Sequence, residues 1–161
     1  MPPVLRVVMT IKMSRLGGNA PAGYFDYVVP PLEGLWWFEG ADIAASRRED
    51  WEWTALIRQP DFVTPAVFDW AVEECRRKKP EVDVSAAQFS VLEEGLCVQR
   101  MHIGPYADEP ATIADLHCFM AEQGLADCTS RERRHHEIYL SDPRRTDPSR
   151  LRTILRLPVA E

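Results

Sequence analysis

Residues 135–143 read His-His-Glu-Ile-Tyr-Leu-Ser-Asp-Pro, placing imidazole, carboxylate and phenol groups close together. Such groups accept, donate and orient protons. Ile138, Tyr139 and Leu140 suit a half-buried pleated surface, and Ser141-Asp142-Pro143 is turn chemistry. The stretch therefore reads as a strand entering a turn. Alternation points His135, Glu137 and Tyr139 one way, and Ile138 and Leu140 the other. If Ile138 and Leu140 pack under helices, Glu137 and Tyr139 line the opposite face. A carboxylate buried there needs a hydrogen bond, a cationic ligand or a raised pKa. The alternative is a solvated face on which Glu137 is an ordinary surface residue.

A second chemistry-bearing group is aromatic. Four of the five Trp residues fall in two tight pairs, Trp36-Trp37 and Trp51-x-Trp53. Trp is seldom fully buried and is a rigid stacking surface for flat ligands, although a Trp-rich core is the simpler reading. Metal chemistry is not expected. His135 and His136 are adjacent on a strand and face apart. Cys75, Cys97, Cys118 and Cys128 show no zinc spacing and read as reduced thiols. No metal and no cofactor is expected.

Several elements must position these groups. Residues 4–13 form an apolar run that fits a helix end or a short strand, broken at Gly17-Gly18-Asn19. Residues 24–29, 35–38 and 51–58 read as strands, with Trp36 and Phe38 on one face and Trp51 and Trp53 sharing another. Residues 40–50 read as a polar loop. Thr64-Pro65 opens a helix with a good cap and a first-turn proline; its stripe is Val67, Phe68, Ala71, Val72 and Cys75, and Pro80 stops it. Residues 86–92 and 95–103 suggest a hairpin around Glu93-Glu94-Gly95. A second helix starts at Asp108-Glu109-Pro110, buries Ile113, Leu116, His117 and Met120, and ends at Gly124. His117 reads as a hydrogen-bonded core histidine. Residues 151–159 form the last strand. The order predicts an α+β domain over 1–161, with an antiparallel curved sheet, helices on one face and an aromatic-lined pocket on the other.

Composition narrows the partners. A formal charge of −6 argues against direct nucleic-acid binding, which would show a basic stripe, and mildly favours a cationic or neutral ligand. No run approaches a membrane span and no signal-peptide layout is present, so a cytoplasmic protein is expected.

Longer strings go further. Tyr-Phe-Asp-Tyr-Val-Val-Pro-Pro-Leu-Glu-Gly-Leu-Trp-Trp at 24–37, Ile-Arg-Gln-Pro-Asp-Phe-Val at 57–63, His-Ile-Gly-Pro-Tyr at 102–106, Ala-Thr-Ile at 111–113, the run at 135–143 and Thr-Ile-Leu-Arg at 153–156 follow one another in a fixed order. Together they resemble the GyrI-like small-molecule-binding family, and most closely the stand-alone branch that includes cyclopropanoid cyclopropyl hydrolases. The resemblance implies tandem βαββ-type modules around a pocket for flat, often cationic, aromatic compounds. Some members only bind or sense such compounds; one branch opens the cyclopropane of DNA-alkylating natural products. Glu137 matches the family's buried acid and Tyr139 its strand tyrosine, the expected catalytic pair. The aromatic cage is expected to draw on Trp36, Trp70 and Tyr106, with Trp53, Phe68 and Phe119 nearby. The family pattern has a further strand and a full helix before residue 24. Only residues 4–14 resemble that part, so an incomplete first module is expected, and an exposed sheet edge could support a homodimer. Gyrase inhibition, which names the family, ranks last because the acidic residues are scattered.

Overall fold

The computed structural model describes residues 3–39 and 50–161. It contains helices α1 (Pro3–Met13), α2 (Pro65–Lys78) and α3 (Glu109–Gln123). Its strands are β1 (Leu32–Trp37), β2 (Glu52–Leu56), β3 (Cys97–Ile103), β4 (Ala126–Asp127), β5 (His135–Tyr139) and β6 (Arg152–Ala160). This is a mixed α/β fold with three helices and a six-stranded, open, curved antiparallel sheet. The chain divides into two compact units. One comprises residues through Pro31 together with Ala55–Leu92, the other Leu32–Thr54 with Glu93–Glu161. The expected loop at 40–50 lies almost wholly outside the described residues.

In the first unit, α1 and α2 pack on each other around Val7, Ile11, Val63, Ala71, Val72, Cys75 and Val84. The start of α2 follows its sequence signals: Thr64 Oγ1 accepts from the Val67 N–H at 3.3 Å, and Pro65 occupies the first turn. Arg76, Arg77 and Lys78 close the last turn, where cations favour the helix dipole. The strand expected over residues 24–29 does not form. Tyr24, Phe25 and Tyr27 instead cluster with Phe62, ring centroids 5.3–5.8 Å from it. The Tyr24 hydroxyl donates to the Lys12 carbonyl at 2.8 Å, and the Lys12 ammonium binds Asp26 and the Tyr27 carbonyl. Side chains, not a ladder, fix this segment to the end of α1. Residues 86–92 are likewise not a strand. They begin inside a turn at Val84–Ala87, and Phe89 packs on Phe68 at 6.0 Å.

The second unit holds most of the sheet, in the order β2-β1-β5-β6-β3, with β4 also on β6. β6 therefore has three partners. α3 packs on β3 and β6 through Leu116 and Met120, which meet Val98, Leu155, Leu157 and Val159. The register then decides which face is covered. Glu137 lies opposite Leu155, and Tyr139 opposite Thr153. Directly paired residues share a face, so Glu137 and Tyr139 lie on the side that carries α3. This reverses the expectation that Ile138 and Leu140 face the helices. Leu140 is 40% exposed. His117 is corrected as well: it is hydrogen-bonded, to Asp127 at 3.1 Å, but its side chain is half exposed and not in the core.

Candidate functional site

The site grows from the pairing of β1 with β5. The register sets Gly34 against Glu137, Leu32 against Tyr139 and Trp36 against His135. Alternation brings Trp36, His135, Glu137 and Tyr139 onto one face. A chain of hydrogen bonds links them. The Trp36 Nε1–H donates to the Tyr139 hydroxyl at 2.9 Å, and that hydroxyl donates to Glu137 Oε2 at 2.7 Å. The other carboxylate oxygen, Oε1, is 3.1 Å from His135 Nε2. A carboxylate only accepts, so Nε2 carries the hydrogen. His135 and Glu137 side chains are 14% and 13% exposed.

Aromatic rings frame this chain. Trp53 on β2 stacks on Trp36, centroids 5.3 Å apart and planes within 16°. Trp51 stacks in the same manner on Phe38, at 5.5 Å and 23°. Tyr106, in the turn before α3, meets Tyr139 edge-on at 6.1 Å and 80°. Trp53 is 48% exposed, which leaves flat apolar surface available at the end of the stack.

Gly34 makes the arrangement possible. A Cβ there would stand 2.8 Å from Trp36 Nε1 and 3.0 Å from the Tyr139 hydroxyl oxygen. Any side chain would push the donor and acceptor apart. Glycine inside a strand signals such a close approach, but its meaning depends on a register that the sequence does not disclose. His135, expected on the same face as Glu137 and Tyr139, is bound to Glu137 there.

Burial, reinforced by the charge and hydrogen bond of Glu137, drives the Tyr139 pKa far above the ordinary phenol value; the Trp36 N–H opposes this and the Glu109 carboxylate adds to it. Tyr139 therefore remains a hydrogen-bond donor at neutral pH.

The opposite face of β5 carries a second polar group. His136, 2% exposed, has Nδ1 2.6 Å from Glu94 and Nε2 2.7 Å from Glu33. Glu94 also binds Arg156, which reaches Gln99 at 2.8 Å. Burial is the largest single influence on His136 and opposes its charge. The hydrogen bonds and charges of the two carboxylates outweigh it and raise the pKa. This clasp ties β1, β5 and β6 together behind the site.

Trp70 and Phe68 belong to the first unit, where both pack on its core. Phe119 stands 47% exposed on α3, outside the ring contacts above. Among the described residues no group of three or more His, Cys, Asp or Glu is placed to hold a metal ion, and no helix is long and apolar enough to cross a membrane.

A family profile described as GyrI-like small molecule binding domain matches residues 9–160. No curated protein matches the chain. Among solved structures, an uncharacterized conserved protein from Listeria innocua is 51% identical, with a TM-score of 0.93 over 98% of this chain and 77% of that one. Two structures described as hydrolases from the same organism are 48% and 49% identical. Both have a TM-score of 0.89 over 98% of this chain, and they are covered to 76% and 77% of their own length.

Proposed function

Because the chain belongs to the GyrI-like small-molecule-binding domain family, we propose that the Trp36–Tyr139–Glu137 chain is the floor of a site for flat aromatic, often cationic, xenobiotics. We further propose that this site hydrolyses cyclopropane-bearing DNA-alkylating compounds. The observation that carries the reading is the hydrogen-bonded chain from Trp36 through Tyr139 to Glu137, set beside the Trp36–Trp53 stack. The hydrolase description of two similar structures supports it.

The reaction asks little of the protein. Water attacks a cyclopropane carbon, the ring C–C bond breaks, and its electron pair restores aromaticity as a phenolate. That phenolate takes up a proton while the attacking water loses one. A held substrate and one oriented water supply the positioning. The Tyr139 hydrogen points at Glu137 in the free protein. Turning it toward the substrate's carbonyl oxygen would stabilise the developing phenolate. The same turn uncovers Glu137 Oε2 to accept the proton of the water. Trp36 keeps the phenol oxygen in place throughout.

The test is single-turnover conversion of a cyclopropane alkylator to its hydrated product, followed chromatographically. Glu137→Gln should slow ring opening by about 10²–10⁴-fold and leave binding of a neutral flat ligand nearly intact. Protection of the compound from water by the wild-type protein would reject catalysis. It would favour the second reading, a module that sequesters or senses its ligands. That reading has its own support, since the Glu137 carboxylate lies beside the Trp36–Trp53 stack and together they offer a bound flat cation an opposite charge and a stacking surface.

A further inference from the structure

We propose that the recess between α1 and α2 in the first unit is a second binding site, selective for small planar aromatic carboxylates. The cavity is about 230 Å³ and is lined by α1, the turn that follows it and the later part of α2. That is below the roughly 300–1,000 Å³ of drug-sized sites and suits a one-ring ligand. Its apolar walls are Trp70, half-buried on α2, with Met9 and Met13, 38% and 47% exposed on α1. A rigid indole beside flexible thioethers adapts to a flat apolar body.

Its charge is of one sign. Arg6, Lys78 and Lys79 line it, and among the described residues no carboxylate does. Lys78 is shared with Glu74 at 3.0 Å, whereas Arg6 and Lys79 make no ion pair with a described residue. The ends of α1 and α2 bring about half a negative charge each, which the cations outweigh. In a chain of net charge −6 such a recess is not the default.

Ser14 supplies an independent mark. It lines the same cavity and is 8% exposed, and its hydroxyl is buried with no hydrogen-bond partner among the described residues. Its backbone carbonyl is already taken by the Asn19 N–H at 3.2 Å. An unpaired hydroxyl in the wall of a positive recess is a donor that a bound carboxylate oxygen would satisfy once the side chain turns toward it, and binding would then remove the cost of leaving it unpaired.

The test uses the indole N–H resonances of the five Trp residues, assigned with Trp70→Phe and Trp36→Phe variants and titrated with benzoate, benzamide and benzamidine. These three probes share a ring and differ in charge. Benzoate is expected to move the Trp70 resonance most and benzamidine least. Arg6→Gln and Lys79→Gln should each weaken benzoate by about two- to five-fold, and Arg6→Lys should retain most of the affinity. Undisturbed resonances of the other four indoles certify that each variant is folded. Benzamidine moving Trp70 as far as benzoate does would overturn the proposal. So would benzoate moving Trp36 instead, or leaving Trp70 unmoved at millimolar concentration. The outcome is independent of whether the Trp36 site binds or hydrolyses anything.

Discussion

At the scale of single residues, Gly34 and Glu137 carry the clearest expectations. Gly34→Ala would insert a methyl group where the Trp36 donor and the Tyr139 acceptor already meet. Overpacking of this kind costs about 1–3 kcal/mol. The expected result is a lowered unfolding midpoint together with loss of flat-ligand binding, read by thermal denaturation and tryptophan quenching. A stable alanine variant with wild-type quenching would show that the close approach is not needed. For Glu137, replacing the acid by Gln should weaken cationic planar dyes more than neutral ones of the same shape. Equal losses in a quenching panel would mean a purely apolar site. The types of these residues were legible in the sequence, because a carboxylate and a phenol two apart on an apolar strand are conspicuous. The direction in which they point was not. Alternation separates Glu137 from Ile138 but does not say which parity meets a helix. That is decided by Leu155, which pairs with Glu137 and, with Leu157 and Val159 on the same face of β6, packs under α3.

At the scale of elements, the two helices with explicit end signals were readable. Thr64-Pro65 and Gly124 mark α2 and α3 by local chemistry that needs no partner. The failed strands, residues 24–29 and 86–92, have β-type composition but no ladder, and a ladder is set by distant chain. The clasp behind β5 was invisible for the same reason, since Glu33, Glu94, His136 and Arg156 meet only when β1, β5 and β6 are paired. Its pH response follows from its members. The His136 pKa is raised above 6.5, so its contribution is complete below pH 6.5 and is lost as pH rises through the raised value. Glu94 is lowered below 4.5: burial opposes this, but bonds from Arg156 and His136 prevail. Its contribution is complete above pH 4.5 and is lost as pH falls through the lowered value. His136→Ala leaves two carboxylates facing an empty position and should cost roughly 3 kcal/mol. The difference in denaturant midpoint between wild type and this variant should be greatest from pH 4.5 to 6.5 and should narrow at higher pH.

At the scale of the whole molecule, each compact unit has its own apolar cluster, and the acidic aromatic site lies within one of them. The bond that defines that site joins Trp36 to Tyr139 across 103 positions of chain. Bringing such distant segments together requires closing a long loop before any contact rewards it, and sheets built from remote pairings fold slowly, in about milliseconds to seconds. The Trp36 indole hydrogen is thus a reporter of complete assembly. In hydrogen exchange it should be released only with the most protected amides of β5 and β6, at the free energy of global opening. Exchange at the rate of the exposed loops would mean that the site opens locally. An arrangement that exists only after β1 and β5 have paired also has no partly folded version. A newly made chain lacks the Trp36–Tyr139–Glu137 arrangement until that long-range contact is in place, and a destabilised variant loses it all at once instead of by degrees.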